Sequence, residues 1–199
     1  SYTVDGGSPI TGSHNGEDYT LRFQEDSVHV LDVWCTDAVG NRTDHETETF
    51  KVDTTAPSID KTMVGDFYGA CPPQSPSDDC YVADNGSSGV EITEEDGGAI
   101  CAIDGVECTY SVEWQGQVID SGDFTDYKEI LFDRDSTHTL TVTCTDDLGN
   151  ETVDEEVFLV DSTPPETEKT YGQPTKAEGG YRWITPATQI TLDGDDEKA

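Results

Sequence analysis

Two octapeptides, WCTDAVGN at 34–41 and TCTDDLGN at 143–150, are nearly identical, and the match extends well beyond them. Ser1-Tyr2-Thr3-Val4 aligns with Thr109-Tyr110-Ser111-Val112, Val28-His29-Val30-Leu31 with Thr137-His138-Thr139-Leu140, and Lys61-Thr62 with Lys169-Thr170, all at an offset of 108 or 109. A third start follows at an offset of 100, where Tyr181 and Gln189-Ile190-Thr191-Leu192 repeat Tyr81 and Gly89-Val90-Glu91-Ile92. Self-similarity at fixed spacing means an array of like units. The chain divides into the C-terminal part of one unit (1–60), a complete unit (61–168) and the N-terminal strands of a further unit (169–199). The two partial pieces are complementary: ITLDGDDEKA followed by SYTVDGG reads as continuous sequence. Either the unit recurs in tandem, or separate chains complete one another by strand donation. The alternative is that the ends cut the array at an arbitrary place. The sequence begins and ends inside patterned stretches and reads as an excerpt or a processed piece.

The local period is two. His138, Leu140, Val142 and Cys144 alternate with threonines, and His29, Leu31, Val33 and Cys35 repeat the pattern. Tyr110, Val112 and Trp114 alternate likewise, as do Tyr19, Leu21 and Phe23; Phe50 and Val52 match Phe158 and Val160 in a last strand. Such alternation, rich in β-branched residues, marks half-buried strands. Asp5-Gly6-Gly7, Asn15-Gly16, Gly40-Asn41, Asp96-Gly97-Gly98, Ser121-Gly122-Asp123 and Gly149-Asn150 supply the turns. The fold class this predicts is all-β: tandem β-sandwiches of about seven strands each.

The stretches YTVDGG, HTLTVTCTDDLGN and VDTTAP resemble the immunoglobulin-like repeats of bacterial and archaeal surface proteins. In that family a Tyr-x-Val-Asp-Gly-Gly stretch, an Asp-x-x-Gly-Asn hairpin and a Val-Asp-x-Thr-x-Pro joint recur in order. The first copy carries all three; the second departs at Ser111-Val112-Glu113-Trp114. The resemblance covers nearly the whole chain and implies an immunoglobulin-like strand order. It says little about what a particular chain binds.

That strand order puts the Asp-x-x-Gly-Asn turn, the loop after the second strand and the entering connector at one pole. Asp53, Asp96 and Asp146 would meet at the joint entering the complete unit. Asp161, Asp196 and Asp37 would meet at the next joint if the end-to-start join is real. Three crowded carboxylates repel unless a cation neutralises them, and Ca²⁺ takes six to eight oxygen ligands. The competing reading is that Asp37 and Asp146 only cap their own turns. No contiguous EF-hand loop is present. Pro57, Pro164 and Pro165 stiffen the connectors in either case.

The composition narrows the partners. Asp and Glu number 43 against 10 Lys and Arg, a formal net charge of −33, which argues against nucleic acid and anionic membrane surfaces. Most of the carboxylates can be read as a solvated surface. No run of 18 apolar residues could span a membrane. Six cysteines point to an oxidising compartment, and the sequons at Asn41, Asn85 and Asn150 fit a secreted, cell-surface protein. Cys71 with Cys80, and Cys101 with Cys108, have spacings suited to local disulfides; Cys108 with Cys144 is the rival pairing. Cys35 and Cys144 read as inward-facing thiols.

No catalytic or cofactor motif stands out: there is no Gly-x-Ser-x-Gly, phosphate-binding loop or dinucleotide fingerprint. His29 and His138 repeat at one strand position, as packing residues do. His14 and His45 have no counterpart. Trp114 reads as core, Trp34 as exposed, and Trp183 as either. The expectation is a non-enzymatic extracellular structural segment that builds a stalk, surface layer or filament with neighbouring copies, rigidified by Ca²⁺. The alternatives are an adhesion module for cell-surface carbohydrate or protein, marked by an exposed aromatic platform, and an accessory domain of a secreted hydrolase.

Overall fold

Residues 1–12, 18–75, 77–97 and 105–196 are described by a computed structural model of the chain. Among them every helix or strand assigned is a strand. The central strand of the complete unit shows why. In Ser136–Thr145, His138, Leu140, Val142 and Cys144 are buried while the threonines between them stay half-exposed. A two-residue period allows this only in extended backbone.

Among the described residues the complete unit has nine strands: β4 (Ser58–Val64), β5 (Phe67–Gly69), β6 (Cys80–Ala83), β7 (Gly89–Glu95), β8 (Glu107–Trp114), β9 (Gln117–Phe124), β10 (Tyr127–Leu131), β11 (Ser136–Thr145) and β12 (Glu151–Asp161). Two more than the expected seven arise largely because the insertion after β4 folds as β5 and β6. One sheet has the order β10-β7-β4 and the other β5-β6-β12-β11-β8-β9. All neighbours are antiparallel except β6 on β12. Val90, Ile92 and Ile130 from the first sheet share one core with Tyr110, Val112, Leu140, Val142, Phe158 and Val160 from the second.

Among the described residues the flanking segments are sheets without a facing layer. Before the complete unit, β1 (Tyr2–Val4), β2 (Ser27–Val33) and β3 (Glu46–Val52) form a three-stranded sheet in that order. After it, β13 (Glu166–Tyr171) pairs with β16 (Ile190–Asp195), and β14 (Thr175–Glu178) with β15 (Tyr181–Ile184). The registers repeat those of the complete unit. Tyr2 faces Val33 as Tyr110 faces Val142, and His29 faces Phe50 as His138 faces Phe158. Lys169 faces Leu192 as Lys61 faces Ile92.

Two expectations for the first segment fail for one reason. Residues 18–24, with Tyr19, Leu21 and Phe23, form no strand. Cys35, predicted to point inward as a buried thiol, is exposed. In the complete unit β10 ladders onto β7, and β7 also covers the core; the first segment has no counterpart of β7.

The cysteines of the complete unit close two bridges. Cys71 bonds Cys80 across the insertion. Cys108 bonds Cys144 and not Cys101, which corrects the local-staple expectation for Cys101 and Cys108 and the free-thiol expectation for Cys144. The cause is register: β8 and β11 set Cys108 directly opposite Cys144, with Cα atoms 4.1 Å apart. Cys101 lies outside the described residues.

A buried charge group ties the two sheets together. Lys61 of β4 is almost fully enclosed, and its Nζ lies 2.7 Å from Asp154 Oδ2 and 2.9 Å from Glu156 Oε2, both on β12. The Asp154 contact is a well-formed hydrogen bond; the Glu156 contact is an ion pair without that alignment. Burial pushes the Glu156 carboxyl above its usual range, against the pull of Lys61. Removing one partner of a buried pair strands the other charge. Lys61→Met should therefore lower unfolding stability by about 3 kcal/mol in urea titrations. Adding Glu156→Gln to Lys61→Met should recover part of that loss.

Candidate metal centre

The Asp-x-x-Gly-Asn turn builds the first wall of the site. It follows β11, and its glycine takes a φ of 90° at Gly149, matched by 93° at Gly40 in the first copy. Asp146 Oδ1 accepts the backbone N–H groups of Leu148 (2.8 Å) and Asn150 (2.9 Å), while Asn150 Nδ2 donates to Oδ2 at 2.7 Å. Asp37 does the same with Val39 and Asn41. Both aspartates thus cap their own turns. For Asp146 burial raises the pKa, yet the Asn150 and backbone donors outweigh it and hold the carboxyl below its ordinary value. Asn41 is the largest cause of the same lowering at exposed Asp37.

Asp146 also joins an acidic cluster, which Asp37 does not within a single chain. Asp53, just after β3, and Asp96, just after β7, come to it, and one carboxylate oxygen from each residue lies within 4.8 Å of the other two. The three come from separate segments, as the strand order implied. Asp53 is only 9% exposed and Asp146 only 5%. Asp53 Oδ1 accepts the Thr55 N–H at 3.0 Å, and Asn150 Nδ2 reaches Asp53 O at 3.5 Å. Asp53 Oδ2 is buried with no hydrogen-bond partner. A buried carboxylate oxygen beside two further carboxylates is costly without a counter-charge. The triad could therefore hold a metal ion, with oxygen ligands of the kind hard divalent cations prefer.

The connector around this triad contains contacts the sequence reading did not assign. Thr55 Oγ1 donates to Asp26 Oδ2. At the far end of the complete unit the arrangement recurs: Thr163 N donates to Asp161 Oδ1 at 2.8 Å, and Thr163 Oγ1 to Asp135 Oδ2 at 3.3 Å. The signal was available, because Asp26-Ser27 and Asp135-Ser136 repeat at an offset of 109. Among the described residues no second triad is gathered: Asp161, Asp196 and Asp37 do not meet within one chain.

The remaining candidates fall elsewhere. Asn41 and Asn150 lie in the two Asp-capped turns and use their Nδ2 atoms there, whereas Asn85 lies in an exposed turn with Nδ2 3.4 Å from Asp66. Trp34, expected to be exposed, is half-buried between His45 and Arg42. Trp114 is half-buried and donates from Nε1 to Asp135 O at 3.0 Å. Trp183 is exposed. His45 Nδ1 contacts Asp32, and His14 lies outside the described residues.

The repeated histidines have opposite electrostatics. His138 is enclosed in the core beside Phe132, and burial lowers its pKa. His29 sits 2.9 Å from Asp5, whose carboxylate raises its pKa. The His29–Asp5 contribution to stability is thus present below about 6.5 and lost as pH rises through the folded value. In an NMR titration His29 should titrate above the ordinary imidazole range and His138 below it. Asp5→Asn should return His29 towards that range and leave His138 unmoved.

The two disulfides fit a non-reducing setting. Among the described residues no helix is long and apolar enough to cross a membrane. No protein-family model matches the chain, and no curated protein matches it significantly.

Proposed function

We propose that the chain is a segment of an extracellular structural protein, in which immunoglobulin-like sandwiches stack end to end into a stiff stalk, surface layer or filament. A Ca²⁺ ion at each joint neutralises the converging aspartates. The observation that carries this reading is the meeting of Asp53, Asp96 and Asp146 where the first segment joins the complete unit, with Asp53 Oδ2 buried and unpaired. Two oxygens on opposite sides of a Ca²⁺ ion are roughly 4.6–5.2 Å apart. The spacing of the triad, within 4.8 Å, accommodates that. Backbone carbonyls and water would complete the shell. The role is mechanical, and no step of catalysis is assigned to it.

Supporting the reading, the connector is short and restrained. Pro57 is fully buried, its carbonyl accepts a hydrogen bond from Thr152 Oγ1 at 2.5 Å, and Thr55 is tied to Asp26. A cation here would link three segments that otherwise repel. Exposed aromatic pairs, Tyr181 with Trp183 and Phe67 with Tyr68, are the feature that favours an adhesion module instead.

Calcium should raise the melting temperature of the wild-type chain, by the equivalent of about 2.7 kcal/mol at a hundred times its dissociation constant. Chelation should reverse this and broaden the distance distribution seen by small-angle X-ray scattering. Asp53→Asn keeps an oxygen for the Thr55 N–H but removes a ligand charge. It should melt higher than wild type without Ca²⁺ and gain little from adding it. Equal Ca²⁺ responses in wild type and Asp53→Asn, or none in either, would sink the cation reading.

A further inference from the structure

The β1–β2–β3 sheet and the β13–β16 pair repeat the registers of the two facing layers of the complete unit, and residues 1–199 of one copy do not bring them together. β12 has 11 residues, so at about 3.4 Å each it is roughly 35 Å long. Asp53 lies against Asn150 at its start, and β13 follows five residues after its end. The first sheet and the last hairpin therefore lie at opposite poles of the complete unit. We infer that the β13–β16 hairpin of one copy docks on the β1–β2–β3 sheet of a second copy, in the register that β4 and β7 keep on β8, β11 and β12. This deepens the structural role proposed above and rests on it.

Three observations on different residues select this occupant. The first is charge. Lys61 is enclosed between Asp154 and Glu156 of β12. In the first segment the matching positions on β3 are Glu46 and Glu48, since Glu48 faces Leu31 as Glu156 faces Leu140, and Glu46 faces Val33 as Asp154 faces Val142. Both glutamates are exposed. The matching lysine is Lys169 of β13, also exposed. Each half carries the charge that the other lacks, at the position where the complete unit buries the pair.

The second is apolar surface. Val90 and Ile92 of β7 are fully buried, whereas their counterparts Ile190 and Leu192 on β16 are 45% and 71% exposed. On the receiving sheet, Leu31 is half-buried and Val33 exposed, while Leu140 and Val142 are fully buried. The third is an unmade ladder. Residues 18–24 match β10 but form no strand, and β10 pairs with β7 in the complete unit. β16 of a second copy supplies that missing neighbour.

Docking in this register also brings Asp37 of the receiving copy to Asp161 and Asp196 of the donor, which stand where Asp146, Asp53 and Asp96 stand in the first joint. The contact joins two different surfaces, so it propagates from copy to copy. Assembly should accordingly depend on concentration and tighten with Ca²⁺.

Analytical ultracentrifugation of the whole chain tests this. Wild type should form oligomers beyond the dimer as concentration rises. Lys169→Glu alone, and Glu46→Lys with Glu48→Lys alone, should each weaken self-association by about tenfold or more, because like charges would then be buried together. Mixing the two variants should restore assembly, since every contact in an alternating array again pairs opposite charges. All these positions lie outside the complete unit, so the melting of that unit should be unchanged in each variant. A wild-type chain that stays monomeric at high concentration, or a mixture no better associated than its components, would overturn the inference. The Ca²⁺ response of the first joint is read separately with Asp53→Asn. Failure of assembly with that response intact rejects copy-to-copy docking and leaves the cation reading standing.

Discussion

A sheet with one apolar face has to cover it, and most of this molecule follows from where that cover is and is not supplied. In β11 the alternation of Leu140, Val142 and Cys144 with threonine commits one face to burial. Fully burying a side chain of this kind is worth about 1.5–3 kcal/mol. β7 and β10 meet the demand with Val90, Ile92 and Ile130. The first segment presents the same alternation in β2 with no facing sheet, and its Cys35, Val33 and residues 18–24 all register the lack.

Charge acts on the same scaffold in two ways. A net charge of −33 makes any close approach of carboxylates unfavourable. Where β4 crosses β12 a lysine resolves the conflict, and Lys61 sits between two acids. Where the first segment meets the complete unit, Asp53, Asp96 and Asp146 converge from three separate segments. On the proposed reading a cation serves at that joint, and the two differ in permanence: a lysine is built in, while a cation can be added or withdrawn by the medium.

Much of the strand pattern was legible in the sequence, because the two-residue period and the repeated turns are local signals. The triad was legible too, since the Asp-x-x-Gly-Asn turn, the connector and the loop after β7 share a pole in the strand order implied. What could not be decided was pairing that depends on register, so Cys108 with Cys144 stood only as the rival pairing. Cys108 lies closer in sequence to Cys101 than to Cys144, yet the ladder between β8 and β11 sets it opposite Cys144. Local spacing carries no information about which residue stands across a strand. The failure of Tyr19, Leu21 and Phe23 to form a strand has a similar origin. Their alternation is sound, but a strand needs a neighbour to satisfy its backbone groups. The role of Lys61 was hidden because the lysine and its nearer acid, Asp154, are 93 residues apart in sequence.

The repeated octapeptide shows how one local device takes on a second task through its surroundings. Asp37 and Asp146 make the same three hydrogen bonds, so the turn needs the aspartate in both places. Only Asp146 is buried and joined by two further carboxylates, because only there do a preceding connector and a covering sheet meet the turn. Capping engages both carboxylate oxygens of Asp146 and lowers its pKa against the effect of burial, which favours the ionised form that the proposed cation would need. On the proposed reading the cap prepares the ligand before any joint exists, since exposed Asp37 shows the same lowering. A covering sheet at the first segment would bring Asp37 into the same setting without altering its turn, so that burial of the apolar face and completion of the acidic cluster become a single event.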